Sequence, residues 1–176
     1  MRTHVLKVGV SLLVALSVAV AVGQVPEQLK APAGEKLILK AHATGAQVYI
    51  CASASDGAMQ WMLKGPDAVL RDERGAPIGT HFAGPTWKHR DGSEVVGKVV
   101  QHVDAPRPDA VAWLLLSASA HKGAGVFAAV TSIQRLNTQG GTPQSRRNAT
   151  RARWATKSDA IIRLITTSFP LAQAES

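Results

Sequence analysis

Short apolar runs, separated by segments rich in Gly, Pro, Asp and Ser, make up the hydrophobic pattern of the chain. Several runs alternate apolar and polar residues, which is typical of β-strands with one buried face. Met59, Trp61 and Leu63, for example, alternate with Gln60 and Lys64. The predicted strands are "KLILKAHA", "AQVYICAS", "AMQWMLK", "EVVGKVVQHV", "AVAWLLLSASA" and "GVFAAVTSIQRL".

Turn signals recur between these runs at a spacing of roughly 8–12 residues, as in all-β domains. Asp91-Gly92, between "TWKHR" and "SEVVGKVV", is the strongest hairpin signal. "AVAWLLLSASA" is also compatible with a buried helix, because periodicity does not separate the two in a short run. We predict an all-β fold: one antiparallel domain over residues 24–144, either a β-sandwich or a partly open barrel.

The N-terminal residues 1–23 have the layout of a secretory signal peptide. Arg2 and Lys7 precede an uncharged apolar run of 16 residues, and small residues such as Ala21 and Gly23 follow. A membrane anchor is the alternative, but the run is shorter than the ~20 residues that a spanning helix needs. We predict a signal-peptide helix that is removed, which leaves a periplasmic or secreted protein without a transmembrane span.

The net charge of +8 is concentrated at the two ends of the chain. The signal contributes two basic residues, and residues 145–176 contain six basic residues against two acidic ones. The intervening residues 24–144 hold twelve basic and ten acidic residues and show no polybasic stripe. We therefore expect no nucleic-acid partner.

The titratable residues match no known metal or cofactor motif. The histidines lack zinc-ligand spacing, and the glycines fit no nucleotide-binding pattern. A site with two histidines, His81 and His89, together with Asp91 is conceivable, but we predict no metal and no cofactor. Cys51 is the only cysteine. It is a buried thiol, one half of a disulfide whose partner is missing, or, least expected, a nucleophile.

The segment 81–92 combines an aromatic residue with polar side chains. Trp87 lies between His81 on one side and His89 and Asp91 on the other. An indole among hydrogen-bonding groups is typical of a platform for a small ligand or a surface glycan. Alternatively, Trp87 simply fills the end of the β-domain. We expect Trp113 to lie in the core. Trp61 is a further candidate ligand contact.

Two classes of function follow from this segment. The first is an exported binding or structural protein of the envelope or the secreted fraction, with residues 81–92 as its interaction surface. The second is a secreted, hydrolase-like enzyme that uses His81 and Asp91. We favour the first class and assign no catalytic residue, because the carboxylates lie in turn-forming contexts that solvation alone explains.

Several motifs, in order, resemble a known family. They are "VYIC", a Trp in the next strand, "PDAVLRDERGAPIGTHFAGPTWKHRDGSEVVGKV", "AWLLLSA" and "VTSIQRLNTQGG". Together they resemble the domain of unknown function 3455 family of exported bacterial and fungal proteins, over residues 25–142. The resemblance implies a single exported domain and no established activity.

The sequence departs from the pattern of that family at about Ser145. The family continues with a Cys-Asp segment, a Gly-Asp-Glu-Val-like strand and a strand rich in Tyr and Phe. The codons of this tail, read one base out of frame, permit that ending; Trp154 followed by Ala155, for example, must then read Gly. We hypothesise a frameshifted C-terminus. Residues 145–176 are then an irregular, poorly ordered tail, the sheet lacks its last strand, and Cys51 lacks its disulfide partner.

Overall fold

A computed structural model describes residues 24–143 and 153–167, and it confirms the all-β prediction. Eight antiparallel strands form one sheet, preceded by a short 3-10 turn at Glu27–Leu29. The strands are β1 (Glu35–Ser53), β2 (Met59–Arg71), β3 (Pro77–Phe82), β4 (Thr86–His89), β5 (Glu94–Val103), β6 (Trp113–Lys122), β7 (Ser132–Gly140) and β8 (Arg153–Thr167). No α-helix occurs in these two described ranges.

The sheet closes on itself, more completely than the predicted sandwich or partly open barrel. Each strand pairs with the next along the chain, and β8 pairs back with β1. β1 is the longest strand, with 19 residues, and it pairs with β2 on one side and β8 on the other. Closure satisfies the backbone groups that would otherwise be exposed at two edges.

The prediction of an irregular tail is wrong for residues 153–167. This segment is β8, and its backbone pairs with β1 from Glu35 to Ile50 and with β7 on the other side. Ala160, Ile162 and Leu164 lie two residues apart and pack in the core, so the segment does alternate with the period of a strand. The sheet therefore has its last strand. The frameshift hypothesis implied that this strand would be missing, and that implication is wrong. Residues 144–152 and 168–176 lie outside the described residues.

The predicted signal peptide, residues 1–23, also lies outside the described residues and stays a prediction. Over residues 24–143 and 153–167, the structure contains no helix with the length and apolar character needed to span a bilayer.

The main core fills one end of the closed sheet. It is built from inward-facing residues of the strands and from Phe127 and Val130 of the β6–β7 connection. Its buried members are Ala41, Ala43, Leu70, Ile78, Trp87, Val95, Leu116, Phe127, Val130, Ile133, Ile162 and Leu164. Side chains thus fill this half of the interior, as expected for a closed sheet of eight strands.

A second cluster covers the outer face of β6 and β7. Trp113, Leu115 and Leu136 pack there against Leu29 of the 3-10 turn, while Leu116 faces the interior. β6 is therefore buried on both faces, which explains why its sequence is a continuous apolar run rather than an alternating one. The strand interpretation of "AVAWLLLSASA" is confirmed, and the helix alternative is wrong.

The predicted strands differ from the observed ones in three places. "KLILKAHA" and "AQVYICAS" form one continuous strand, β1, with an irregularity between Val48 and Tyr49. The segment 81–92 is a hairpin of β3 and β4 rather than a loop. "GVFAAVTSIQRL" begins as a turn, and β7 starts only at Ser132. The predicted turn at Asp91-Gly92 does connect β4 to β5, with Gly92 at a φ of 90°.

We expect Leu164→Ala to lower the free energy of unfolding by about 2–5 kcal/mol, because Leu164 is fully buried. Arg163→Ala is the matched control, because Arg163 is the neighbour of Leu164 in β8 and its side chain is only half-buried. Urea denaturation measures both variants. Equal stability of wild type and Leu164→Ala would mean that residues 153–167 do not pack as a strand.

Candidate functional site

A cavity of about 320 Å³ occupies the interior beyond the main core. Along β1, Ala41 and Ala43 belong to the core, whereas Gln47 lines the cavity. Along β2, Leu70 belongs to the core and Pro66 lines the cavity. The cavity therefore begins where the core side chains end, inside the same closed sheet.

The walls of the cavity are mostly apolar. They are formed by Leu63, Pro66, Pro85, Trp87, Val99, Leu114 and Leu116, with Gly65 and Gly84. Four polar side chains complete the lining: Gln47, Lys64, His81 and Arg135. An apolar cavity with a few convergent polar groups is the usual form of a small-molecule site.

Trp87 separates the core from the cavity. Its side chain is only 1% exposed and belongs to the main core, yet it also lines the cavity. A methyl group at Gly97 would come within 2.9 Å of Cζ3 of Trp87, so the missing side chain at Gly97 lets the indole lie against β5. Trp87 is thus a filling residue, and it is one surface of the cavity as well.

His81 is stacked on Trp87, with ring centroids 4.3 Å apart and planes 8° from parallel. Its Nδ1 lies 3.0 Å from the carbonyl oxygen of Thr86. A carbonyl only accepts, so Nδ1 carries the proton. Burial lowers the pKa of His81 to about 4, although the Thr86 hydrogen bond opposes this shift. The ring is therefore neutral at pH 7, and its Nε2 is a hydrogen-bond acceptor in the cavity lining.

Arg135 brings a partly buried positive charge to the cavity. Its Nε and Nη2 donate to the carbonyl oxygen of Ala112 at 3.2 and 2.8 Å. Burial lowers the pKa of Arg135 to about 10, and the nearby Tyr49 opposes this shift, so the guanidinium is charged at pH 7. Among residues 24–143 and 153–167, no carboxylate forms an ion pair with Arg135 in the structure. A buried charge without a counterion is costly.

Gln47 is the third buried polar group of the cavity. It is 5% exposed, and none of the side-chain hydrogen bonds formed within the described part of the chain involves its amide. An amide offers two donors and an oxygen acceptor. Gln47 can therefore bind either kind of polar group on a molecule in the cavity.

Asp91 and His89 form a separate cluster in the turn after β4. Asp91 accepts hydrogen bonds from the backbone and hydroxyl of Ser93 at 2.8 and 2.6 Å, and from the Val126 backbone at 2.9 Å. The hydrogen bond from the Ser93 hydroxyl has the largest effect, and together these bonds hold the pKa of Asp91 well below its usual range. His89 Nδ1 lies 3.0 Å from the same carboxylate. The cluster ties the β4–β5 turn to the β6–β7 connection.

Only two of the five predicted site residues lie together at the cavity. His81 and Trp87 line it, whereas His89, Asp91 and Trp61 do not. His81 pairs with Trp87 inside the β3–β4 hairpin, whereas Asp91 lies in the turn that follows the end of β4 at His89. Trp61 lies on β2 opposite Cys51, a half-buried free thiol.

Sequence reasoning missed Gln47 and Arg135. The signal for Arg135 was present: it stands two residues after Ile133 in an apolar strand and therefore on the same inward face. Gln47 had no comparable signal, because an isolated Gln in a strand is usually solvent-facing. In the part of the chain that the structure describes, no three His, Cys, Asp or Glu side chains are grouped so as to hold a metal ion.

These features define an all-β protein with a closed antiparallel sheet and a cavity at one end of its interior. The chain belongs to the family described as "Protein of unknown function (DUF3455)", whose model matches residues 32–155. The match confirms the family resemblance, and it extends past Ser145, where we had expected the pattern to end. No curated protein and no solved structure matches the chain.

We expect the stability of the protein to fall as the pH is lowered from about 6.5 to 4, through His81. The unfolded state takes up the proton near pH 6.5, whereas the folded state takes it up at about 4. His81 therefore contributes to the free energy of unfolding above pH 6.5. This contribution, up to about 3 kcal/mol, is lost as the pH falls towards 4. Urea denaturation at several pH values should show a weaker pH dependence for His81→Gln. His102→Gln, at an exposed position, should behave like wild type.

We expect Trp87→Ala to lower the free energy of unfolding by about 3–5 kcal/mol, since it removes a fully buried indole from the core. Trp61→Ala is the control, because Trp61 is only half-buried and lies outside the core clusters. Thermal and urea denaturation measure both. A Trp87→Ala loss no larger than that of Trp61→Ala would contradict the filling role.

Proposed function

We propose that this protein is an exported binding protein that holds one small, largely apolar molecule in its interior cavity. The observation that carries the proposal is an apolar cavity lined by the buried polar side chains of Gln47 and His81 and by the partly buried guanidinium of Arg135. Buried polar groups normally have hydrogen-bond partners. His81 and Arg135 use part of their capacity on Thr86 and Ala112, and a bound molecule would supply partners for the rest and for the amide of Gln47.

The size of the cavity supports a ligand of modest dimensions. A volume of about 320 Å³ is at the small end of the range for ligand pockets, roughly 300–1,000 Å³. It equals the liquid volume of about ten water molecules. A molecule with on the order of ten to fifteen non-hydrogen atoms would fill it. Closed sheets of eight strands enclose enough space for one such ligand.

The exposed residues near the cavity suit the entry of an apolar molecule. Leu63 and Val99 line the cavity and are 55% and 47% exposed, so they extend from its walls to the surface. Phe82, at the end of β3, is also exposed. An apolar ligand entering between these side chains would remain in contact with apolar surface.

The geometry gives less support to the enzyme alternative. His81 and Asp91 lie at different parts of the β3–β4 hairpin, and the oxygens of Asp91 are occupied by Ser93, Val126 and His89. Ser93 is fully buried, so its hydroxyl is closed to a substrate, and the lowered pKa of its partner Asp91 makes that carboxylate a weak base. The cluster acts as a turn-stabilising group.

Export is the second part of the proposal, and residues 1–23 support it through their signal-peptide pattern. We expect the exported protein to begin near residues 22–24. Intact-mass measurement of protein from the extracellular or periplasmic fraction tests this directly. Exported protein that retains Met1 would contradict cleavage.

We expect 1-octanol or octanoate to bind the wild-type protein at a single site, measured by isothermal titration calorimetry. Leu114→Trp should abolish binding, because the larger side chain fills the cavity that Leu114 lines. Val100→Trp is the matched control: Val100 is on β5, exposed and outside the cavity. Far-UV circular dichroism checks that both variants fold. Equal binding by Leu114→Trp and Val100→Trp would place the ligand elsewhere.

A further inference from the structure

We infer that the ligand of the cavity is a monoanion, and that Arg135 binds its negatively charged group, for which a carboxylate is the best chemical match. This inference rests on the proposed function, which it narrows from any small apolar molecule to an apolar acid. Three features support it: the partly buried guanidinium, the neutral side chains of Gln47 and His81, and the apolar walls.

The guanidinium of Arg135 has hydrogen-bonding capacity left over. It carries five N–H donors. Nε and Nη2 each make one bond to the Ala112 carbonyl, and the structure shows no further acceptor for Arg135 in residues 24–143 and 153–167. An arginine presents its remaining N–H groups in a planar fork that suits a carboxylate. The bond to Ala112 holds that fork in place at the wall of the cavity.

The groups around Arg135 leave its charge uncompensated. His81 is neutral at pH 7, and the Tyr49 hydroxyl donates to the Gly141 carbonyl oxygen at 2.7 Å. The other ionisable side chain in the cavity lining is Lys64, which is also positive and exposed. No Asp or Glu of the described ranges lines the cavity. The potential inside is therefore positive, and it favours an anion over a neutral molecule or a cation.

A single charge on an otherwise apolar body matches the rest of the lining. The one partly buried guanidinium balances one negative charge, whereas Lys64 is exposed and screened by solvent. A dianion such as a phosphate monoester would leave an unbalanced charge against Leu114, Leu116 and Trp87. The acceptor Nε2 of His81 does not suit a carboxylate. It suits a hydroxyl or N–H of the ligand, or a water molecule that bridges to it.

The test compares three probes of equal chain length: octanoate, 1-octanol and octylammonium. Calorimetric titration of the full chain at pH 7.5 and 150 mM salt gives the three dissociation constants. We expect octanoate to bind at least tenfold more tightly than 1-octanol, and octylammonium to bind more weakly than either. A hydrogen-bonded charge pair in a buried site has an effect of this size.

Variants assign the charge preference to Arg135. Arg135→Gln should weaken octanoate binding by about tenfold to hundredfold, a larger factor than its effect on 1-octanol binding, because only octanoate carries a charge. Arg71→Gln is the matched control, because Arg71 is exposed on β2 and outside the cavity. If Arg135→Gln does not fold, Arg135→Lys keeps the charge but loses the planar fork, and it should weaken octanoate binding by a larger factor than 1-octanol binding.

The outcomes separate the inference from the proposed function. If 1-octanol binds wild type as tightly as octanoate does, the inference is overturned and the binding function stands. If Arg135→Gln folds and binds octanoate like wild type, the inference is also overturned. If none of the three probes binds, the proposed function fails and the inference fails with it.

Discussion

The backbone pairing of β8 with β1 is the interaction on which the rest of the structure depends. It joins residues 153–167 to residues 35–50 and converts an open sheet into a closed one. Without it, β1 and β8 would each present an edge of unpaired backbone groups. The inner face of the sheet, with Ile162 and Leu164, would also be open to water. Core, cavity and buried polar groups therefore all require this pairing.

Closure creates an interior that side chains must fill, and this chain fills it unevenly. At one end, large residues such as Trp87 and Phe127 pack together in a core cluster of apolar side chains. At the other end, Gln47, His81 and Arg135 replace apolar side chains at inward positions. Polar residues at such positions are destabilising unless they have partners. The contrast between the two ends is the physical basis for assigning the cavity a binding role.

The sequence made the fold class predictable because most strands carry a clear local signal. The Val-rich run of β5 gave its bounds correctly, and Asp91-Gly92 marked the following turn. Two elements were missed for different reasons. β3 and β4 are short and contain Gly79, Thr80 and Lys88 in place of a strong apolar alternation. β8 was misjudged because its expected content was taken from the family pattern, while its own alternation of Ala160, Ile162 and Leu164 was ignored.

The candidate site was less predictable than the fold, because it is assembled from distant strands. His81 and Trp87 share one hairpin, and their closeness in sequence drew attention to them. Gln47 and Arg135 are 88 positions apart in sequence and approach the same cavity only through the closed sheet. His89 and Asp91 are also close in sequence to Trp87, but the rise of the strand carries them away from it. Local spacing alone does not distinguish these cases.

Ring closure between the two ends of the chain also has a kinetic consequence. Glu35 pairs with Thr167, so the ring cannot close until almost the whole sequence has been synthesised. Pairings between such distant segments form slowly, because closing a long loop costs entropy before any stabilising contact has formed. The nascent chain consequently remains unfolded for an extended time. Such a delay would keep the chain in the unfolded form that the export proposed above requires.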